Sequence, residues 1–171
     1  MKRRVIFAIG LFVLIADQLS KFWVRHAIPL ETAHPILPGF LDLTYVRNTG
    51  AAFSIFQNGA AGLAVLSALA VLGISVFVMR TRVPVPALLA LGVALPLGGS
   101  AGNLVDRAKF GWVTDFILVH WREHQFPVFN VADSSICVGV AILMYHYWRT
   151  PSAPAPAATE TAETAETLTS N

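Results

Sequence analysis

Between Ala60 and Met79 the chain carries twenty consecutive residues without a charge, almost all of them apolar. A helix rises about 1.5 Å per residue, so such a run reaches about 30 Å, the thickness of a bilayer's hydrocarbon core. A helix apolar on every side has no stable place on a water-exposed surface. The run is therefore read as a membrane helix, and the rest of the chain has to be arranged around it. Composition agrees, since 13% of the residues are charged, against about 25% in soluble domains. Three of the acids, Glu160, Glu163 and Glu166, lie in the last stretch of the chain, so the body is poorer in charge still.

Three more apolar runs follow the same logic. Lys2-Arg3-Arg4 precedes the run Val5 to Ala16. That pattern is like a secretory signal segment, but neither a small-residue cleavage site nor a lipid-attachment cysteine follows. An uncleaved helix running to about His26 and stopped by Pro29 is expected. Pro84 and Pro86 open a third helix to about Val105, and a fourth runs from about Val131 to Trp148. The basic residues 2–4, Arg80, Arg82 and Arg149 then fall on one side, which the positive-inside rule makes cytoplasmic. Both termini are expected there, with residues 27–58 and 106–130 facing outwards. Phe40 to Val46 alternates like a strand, and Asn48-Thr49-Gly50 supplies a turn before Phe53 and Phe56. A small sheet on the outer membrane surface is expected, able to pair with an extended peptide. From Thr150 the composition turns to Pro, Ala, Thr and Glu, which cannot bury a core. The expected fold is membrane all-α: four transmembrane helices, a small extracytoplasmic β-sheet, and an extracytoplasmic loop carrying one functional Asp. Residues 1–149 form the membrane domain and 150–171 a disordered cytoplasmic tail. The basic residues flank apolar runs and form no stripe, so nucleic acid is not an expected partner. Cys137, the only cysteine, has no internal disulfide partner.

The chemistry is expected between Val113 and Asp133. Asp115 and Asp133 bracket a short polar segment, and Asp133 heads an apolar run where a carboxylate is costly. Two close carboxylates can share one proton and divide the acid and base roles. Alternatively, each caps a helix or pairs with an arginine. Asp17 and Lys21 are spaced i, i+4 and can pair, with Lys21 snorkelling to the headgroups. Asn103, Asp106 and Arg107 can share one helix face. Arg107 then orients a carboxylate, holds a substrate carbonyl, contacts a lipid headgroup, or pairs with Asp106. Gly98-Gly99-Ser100-Ala101-Gly102 fits G-x-S-x-G, but within a helical apolar run it reads as small-residue packing rather than a serine elbow. His120 and His124 have the spacing of a metal pair, yet lie near Trp121 and Pro127 with no H-E-x-x-H. No metal and no other cofactor is expected.

Together these segments resemble the lipoprotein signal peptidases, or signal peptidase II, over about residues 12–148. Asp17-Gln18-Leu19-Ser20-Lys21, Asn48-Thr49-Gly50-Ala51-Ala52-Phe53 and Gly98 to Arg107 look like the first three family boxes. Val113-Thr114-Asp115-Phe116 and Phe129-Asn130-Val131-Ala132-Asp133 look like the boxes with the catalytic aspartates. The resemblance implies an aspartyl endopeptidase of the bacterial inner membrane, with its active site towards the periplasmic face. Its substrates would be prolipoproteins already carrying diacylglyceryl on the lipobox cysteine, cut just before that cysteine; membrane lipids are its other partners. It further implies that Asp115 and Asp133 are catalytic, that Asn48, Gly50, Asn103, Arg107 and Asn130 shape the pocket, and that Asp17 and Lys21 support it. Asp133 near a helix N-terminus is expected to be the more ionised partner. A small-solute transporter and a non-catalytic scaffold are the competing readings; the first would show broken helices in internal repeats.

Overall fold

The computed structural model describes residues 1–50, 59–81 and 84–149. Phe53, Phe56, Arg82, the Ala51-Ala52-Phe53 end of the second box and the 150–171 tail lie outside the described residues. The described residues form four helices: α1 (Arg3–Ala27), α2 (Gly59–Arg80), α3 (Ala87–Phe110) and α4 (Val131–Arg149). Four strands, β1 (Ala33–Leu37), β2 (Leu41–Asn48), β3 (Val113–Trp121) and β4 (His124–Gln125), form one antiparallel sheet in the order β1-β2-β3-β4.

The helices are inverted relative to a water-soluble protein. On α1 the buried positions are Ile6, Gly10, Val13, Asp17, Lys21 and Val24, a stripe of period three to four. The opposite face exposes Leu11, Phe12, Ile15, Leu19, Phe22 and Trp23. Polar groups inside and bulky apolar groups outside are what a lipid solvent selects. α3 is the central element and touches the other three helices. Its small residues permit this: a Cβ at Gly98 would collide with the Gly10 backbone of α1, and one at Gly99 with the Ala132 backbone of α4. The small-residue packing expected of the 98–102 stretch is thus observed. Ser100 sits buried within α3, without the strand, turn and helix that a serine elbow needs. α4 runs antiparallel along α3, with Leu143 at Gly92 and Gly139 at Pro96.

The basic ends gather. Arg3 Nη1 donates to the Met79 carbonyl at 2.9 Å, and the Val85 N–H to the Met1 carbonyl at 3.2 Å. The start of α1, the end of α2 and the approach to α3 therefore share one end of the bundle. The sheet sits at the other end, where Val24 and Ile28 of α1 pack with Tyr45 and Phe116.

Three expectations need correction. The third helix does not stop near Val105. It continues to Phe110 and ends on Gly111, whose φ of 79° and N–H to the Arg107 carbonyl form a left-handed cap. Asp115 is not on a loop but on β3, within the 106–130 segment. Val113 to Phe116 are all buried, so the strand lacks the alternation that marks a half-exposed one. Finally, among the described residues three helices rather than four are long and apolar enough to cross a membrane: Arg3–Ala27, Ala61–Arg80 and Ala87–Phe110. In α4, Asp133, Ser134 and Ser135 at one end and Tyr145 to Arg149 at the other dilute the apolar stretch.

The glycine contacts make a sharp prediction. Gly98→Ala places a methyl against the α1 backbone and should cost about 1–3 kcal/mol through overpacking. Gly62→Ala on α2 has open space around it and should be neutral or slightly stabilising. Thermal unfolding in detergent should separate the two variants.

Candidate active site

Local structure places each functional side chain. β2 ends at Asn48, whose Oδ1 accepts the Gly50 N–H at 2.8 Å. Gly50 has φ of 83°, a turn conformation open to glycine. With its oxygen engaged, Asn48 has only its amide hydrogens to offer, and Nδ2 donates to Asp115 Oδ2 at 2.8 Å. The β2–β3 register pairs Val46 with Asp115 and Asn48 with Val113, with a bulge between Leu43 and Val46. The chain then returns beside β3: the N–H groups of Phe116 and Ile117 donate to the Phe129 carbonyl at 3.0 and 2.8 Å. That return sets Asn130 next to Asp115.

Asn130 is the N-cap of α4. Its Oδ1 accepts the Asp133 N–H at 2.9 Å, and Asp133 Oδ2 accepts the Asn130 N–H at 3.2 Å. This reciprocal pair is a capping box with Asn and Asp in the two positions. The remaining group of Asn130, Nδ2, donates to Asp115 Oδ1 at 2.6 Å. One fully buried side chain therefore bonds both aspartates, one on a strand and one on a helix. Asn103 closes the frame. Its Nδ2 donates to Asp133 Oδ1 at 2.7 Å, while its Oδ1 accepts from Lys21 Nζ at 2.8 Å and from Asn130 Nδ2 at 3.3 Å.

Beneath this lies a buried charged layer. Lys21 Nζ is 2.8 Å from Asp17 Oδ2 and 3.7 Å from Asp106 Oδ2, and all three side chains are fully buried. Lys21 therefore does not snorkel; its partners lie inside the bundle. Asp17 Oδ1 also accepts the Ala132 N–H at 2.9 Å, one of the free donors at the start of α4. Gly102 gives Asp17 its room, since a Cβ there would overlap the Asp17 carboxylate. Asp106 accepts the Thr114 N–H at 2.9 Å and faces Arg25 Nη1 at 3.6 Å. Arg25 in turn bonds Thr114 Oγ1 at 2.9 Å, and Gln18 Nε2 bonds the Gly102 carbonyl at 3.0 Å.

Every expected site residue with a side chain thus lies in one assembly, with Gly50 shaping the turn beside it. Arg107 is not paired with Asp106, whose partners are Lys21 and Arg25. Its charge acts on Asp133, Asp115 and, least, Asp106, and its Nη1 reaches Ser67 of α2 at 3.4 Å. The roles of Gln18, Arg25 and Thr114 were missed. The spacing held a signal for Arg25, since positions 17, 21 and 25 share a helix face. His120 and His124 sit on neighbouring strands; His120 Nε2 faces Asp42 at 3.2 Å, and among the described residues no group of three metal-binding side chains occurs.

Asp115 is 2% exposed. Burial, aided by the nearby Asp133 charge and opposed by the bonds from Asn48 and Asn130 and the charge of Lys21, pushes its carboxyl up to about 6. A carboxyl so placed holds a proton that an ordinary aspartate has lost, which is what an acid partner needs.

Comparison with known proteins points one way. A family model described as signal peptidase (SPase) II matches residues 9–149. The lipoprotein signal peptidase of Syntrophotalea carbinolica is 42% identical, covering 85% of this chain and 92% of its own. That of Streptococcus pyogenes serotype M3 is 39% identical, covering 87% and 96%. Two solved bacterial membrane enzymes, determined by the in meso method, share the fold. One has a TM-score of 0.77 at 26% identity, covering 86% of this chain and 94% of that one. The other has 0.75 at 27%, covering 85% and 88%.

The raised carboxyl predicts a pH dependence of stability. Folded Asp115 holds its proton more tightly than an unfolded aspartate does. The stability this contributes is complete below pH 3.8 and is lost as pH rises through about 6. The loss should be on the order of 3 kcal/mol across that window. Asp115→Asn has nothing to titrate, so unfolding in detergent between pH 4 and 7 should show a flatter profile for the variant than for the wild type.

Proposed function

The chain belongs to the signal peptidase II family, and from that premise we propose that Asp115 and Asp133 are its catalytic pair. The protein is an aspartic peptidase of the membrane that removes signal peptides from prolipoproteins. The finer reading is that its substrates already carry diacylglyceryl on the lipobox cysteine, and that the cut falls just before that cysteine. The observation that carries the assignment of the pair is Asn130, whose bonds reach both carboxylates at once.

One aspartate, ionised, takes a proton from a water molecule, which attacks the scissile carbonyl. The other, protonated, donates to the carbonyl oxygen, and the amine leaves with a proton from the pair. Burial makes Asp115 the natural holder of the proton at rest. Asp133 is the natural base, since it lies in the first turn of α4, where the helix dipole favours negative charge. The two act as a coupled pair, so the labels describe the resting state. Asn48, Gly50, Asn103, Arg107 and Asn130 shape the pocket, with Asp17 and Lys21 beneath. Arg107, whose charge acts on the pair, would hold a substrate carbonyl.

The bundle end with Lys2, Arg3, Arg4 and Arg80 faces the cytoplasm by the positive-inside rule. α4 falls short of the other three in length and apolarity, yet it runs back along α3; held in the membrane by that packing it would bring Arg149 to the same side, with both termini cytoplasmic and the pair facing the periplasm. A peptide bond reaches that face only if something fixes its depth. A diacylglyceryl chain adds about 0.8 kcal/mol of membrane affinity per buried methylene, and so holds the modified cysteine at the surface.

The test is cleavage of a purified lipidated precursor. Asp115→Asn and Asp133→Asn should each lose on the order of 10²–10⁴-fold while remaining folded. The double variant should be barely worse, because members of a catalytic unit are not additive. Ser100→Ala should cleave normally, and the precursor without its lipid should be cut poorly. A folded Asn variant that keeps about a tenth of the activity, more than acid–base loss would leave, would exclude the two-aspartate mechanism.

A further inference from the structure

The bundle end that holds the aspartates also holds cations that they do not use. Membrane proteins concentrate Lys and Arg at the other end, as this chain does with Arg3 and Arg80. Arg25, Arg47 and Lys109 depart from that bias. Arg25 has partners in Asp106 and Thr114. Arg47 and Lys109 are exposed, and among the described residues neither is in an ion pair.

Aromatic rings hold these two cations instead. Arg47 Cζ lies 4.7 Å from the centre of the Trp112 ring, and Lys109 Nζ 5.1 Å from that of Phe110. The two rings stack on each other with centroids 5.6 Å apart and planes 28° apart. Gly111 makes that stack possible, because its left-handed turn brings side chains two residues apart onto one side. Arg25 also lies over Phe110, at 4.8 Å, and so braces it. Arg47 Nε donates to the Tyr45 hydroxyl at 3.3 Å; a cation so fixed on a ring face can still turn its terminal N–H donors to an anion.

The depth of the patch identifies that anion. Phe110 ends a helix long enough to cross the membrane, and Trp112 follows two residues later. Tryptophan at that level lies among lipid headgroups, where the abundant fixed anion is the phospholipid phosphate. We propose that Arg47 and Lys109, on a floor of Trp112 and Phe110, form a binding site for the headgroup of an anionic phospholipid. Arg47 is paired with Thr114 across the sheet and adjoins Asn48. An occupied site therefore ties the β2–β3 edge, which carries Asn48 and Asp115, to the bilayer surface. The inference needs α3 to cross a membrane; it does not need the peptidase reading.

The probe is spin-labelled phosphatidylglycerol against spin-labelled phosphatidylcholine, with the full chain in phosphatidylcholine nanodiscs. The motionally restricted fraction of each label gives a relative association constant. The wild type should prefer phosphatidylglycerol, and Arg47→Gln/Lys109→Gln should lose about fivefold of that preference per cation removed. Arg3→Gln/Arg4→Gln, at the opposite end, measures the attraction of cations in general. Lys109→Gln alone, on an exposed helix position, serves if the double variant does not fold. A wild type without preference would overturn the proposal, as would an equal loss from the two pairs of variants. Displacement by millimolar inorganic phosphate would assign the site to free phosphate and overturn the lipid reading.

Discussion

The site depends on an ammonium group with no exposed surface. Lys21 has only donors, and a buried charge costs several kcal/mol unless it is paired and bonded. Asp17 supplies the pairing and Asn103 a carbonyl oxygen. That demand orients Asn103: with its oxygen on Lys21, its amide hydrogens are left for Asp133. The same demand fixes Asp17, whose second oxygen caps the start of α4 at Ala132. One buried charge thus sets both the side chain that holds Asp133 and the height of the helix that carries it. Asp106 extends the layer to Thr114, the neighbour of Asp115. The two carboxylates come from unlike elements, and this charged layer braces the strand and the helix against each other.

Close helix contact makes the layer affordable. Gly98 and Gly102 bring α3 against α1, and Gly102 leaves the space that the Asp17 carboxylate fills. Between lipid-facing helices, packing and polar bonds replace the hydrophobic drive. The stripe of small residues and the buried charges are two halves of one arrangement.

Much of this was legible in the sequence, for physical reasons that differ by element. Charge-free length marked α2, and a basic head with a proline stop marked α1. The side chains of the site were legible because Asp, Asn and Lys are rare in apolar surroundings and must be bonded there. β3 was not legible. Its start is buried on both faces and so has no alternation, and its partner β2 lies more than sixty residues earlier in the chain. The number of spans was overread, because α4 has an apolar middle but polar and aromatic ends. The burial of Lys21 was hidden as well: snorkelling or pairing inside depends on which face of α1 meets α3, and only the glycine contacts decide that.

The central claim is that Asp115 and Asp133 act as one pair, with the Asp133 charge felt at Asp115. Carboxyl labelling of aspartate with ¹³C, followed by NMR titration in micelles, gives the midpoint of Asp115 in the wild type and in Asp133→Asn. The charge of Asp133 raises the Asp115 carboxyl, so removing it should move the midpoint down from about 6. A midpoint unchanged in a folded Asp133→Asn protein would mean that the two groups do not sense each other, and would contradict the account.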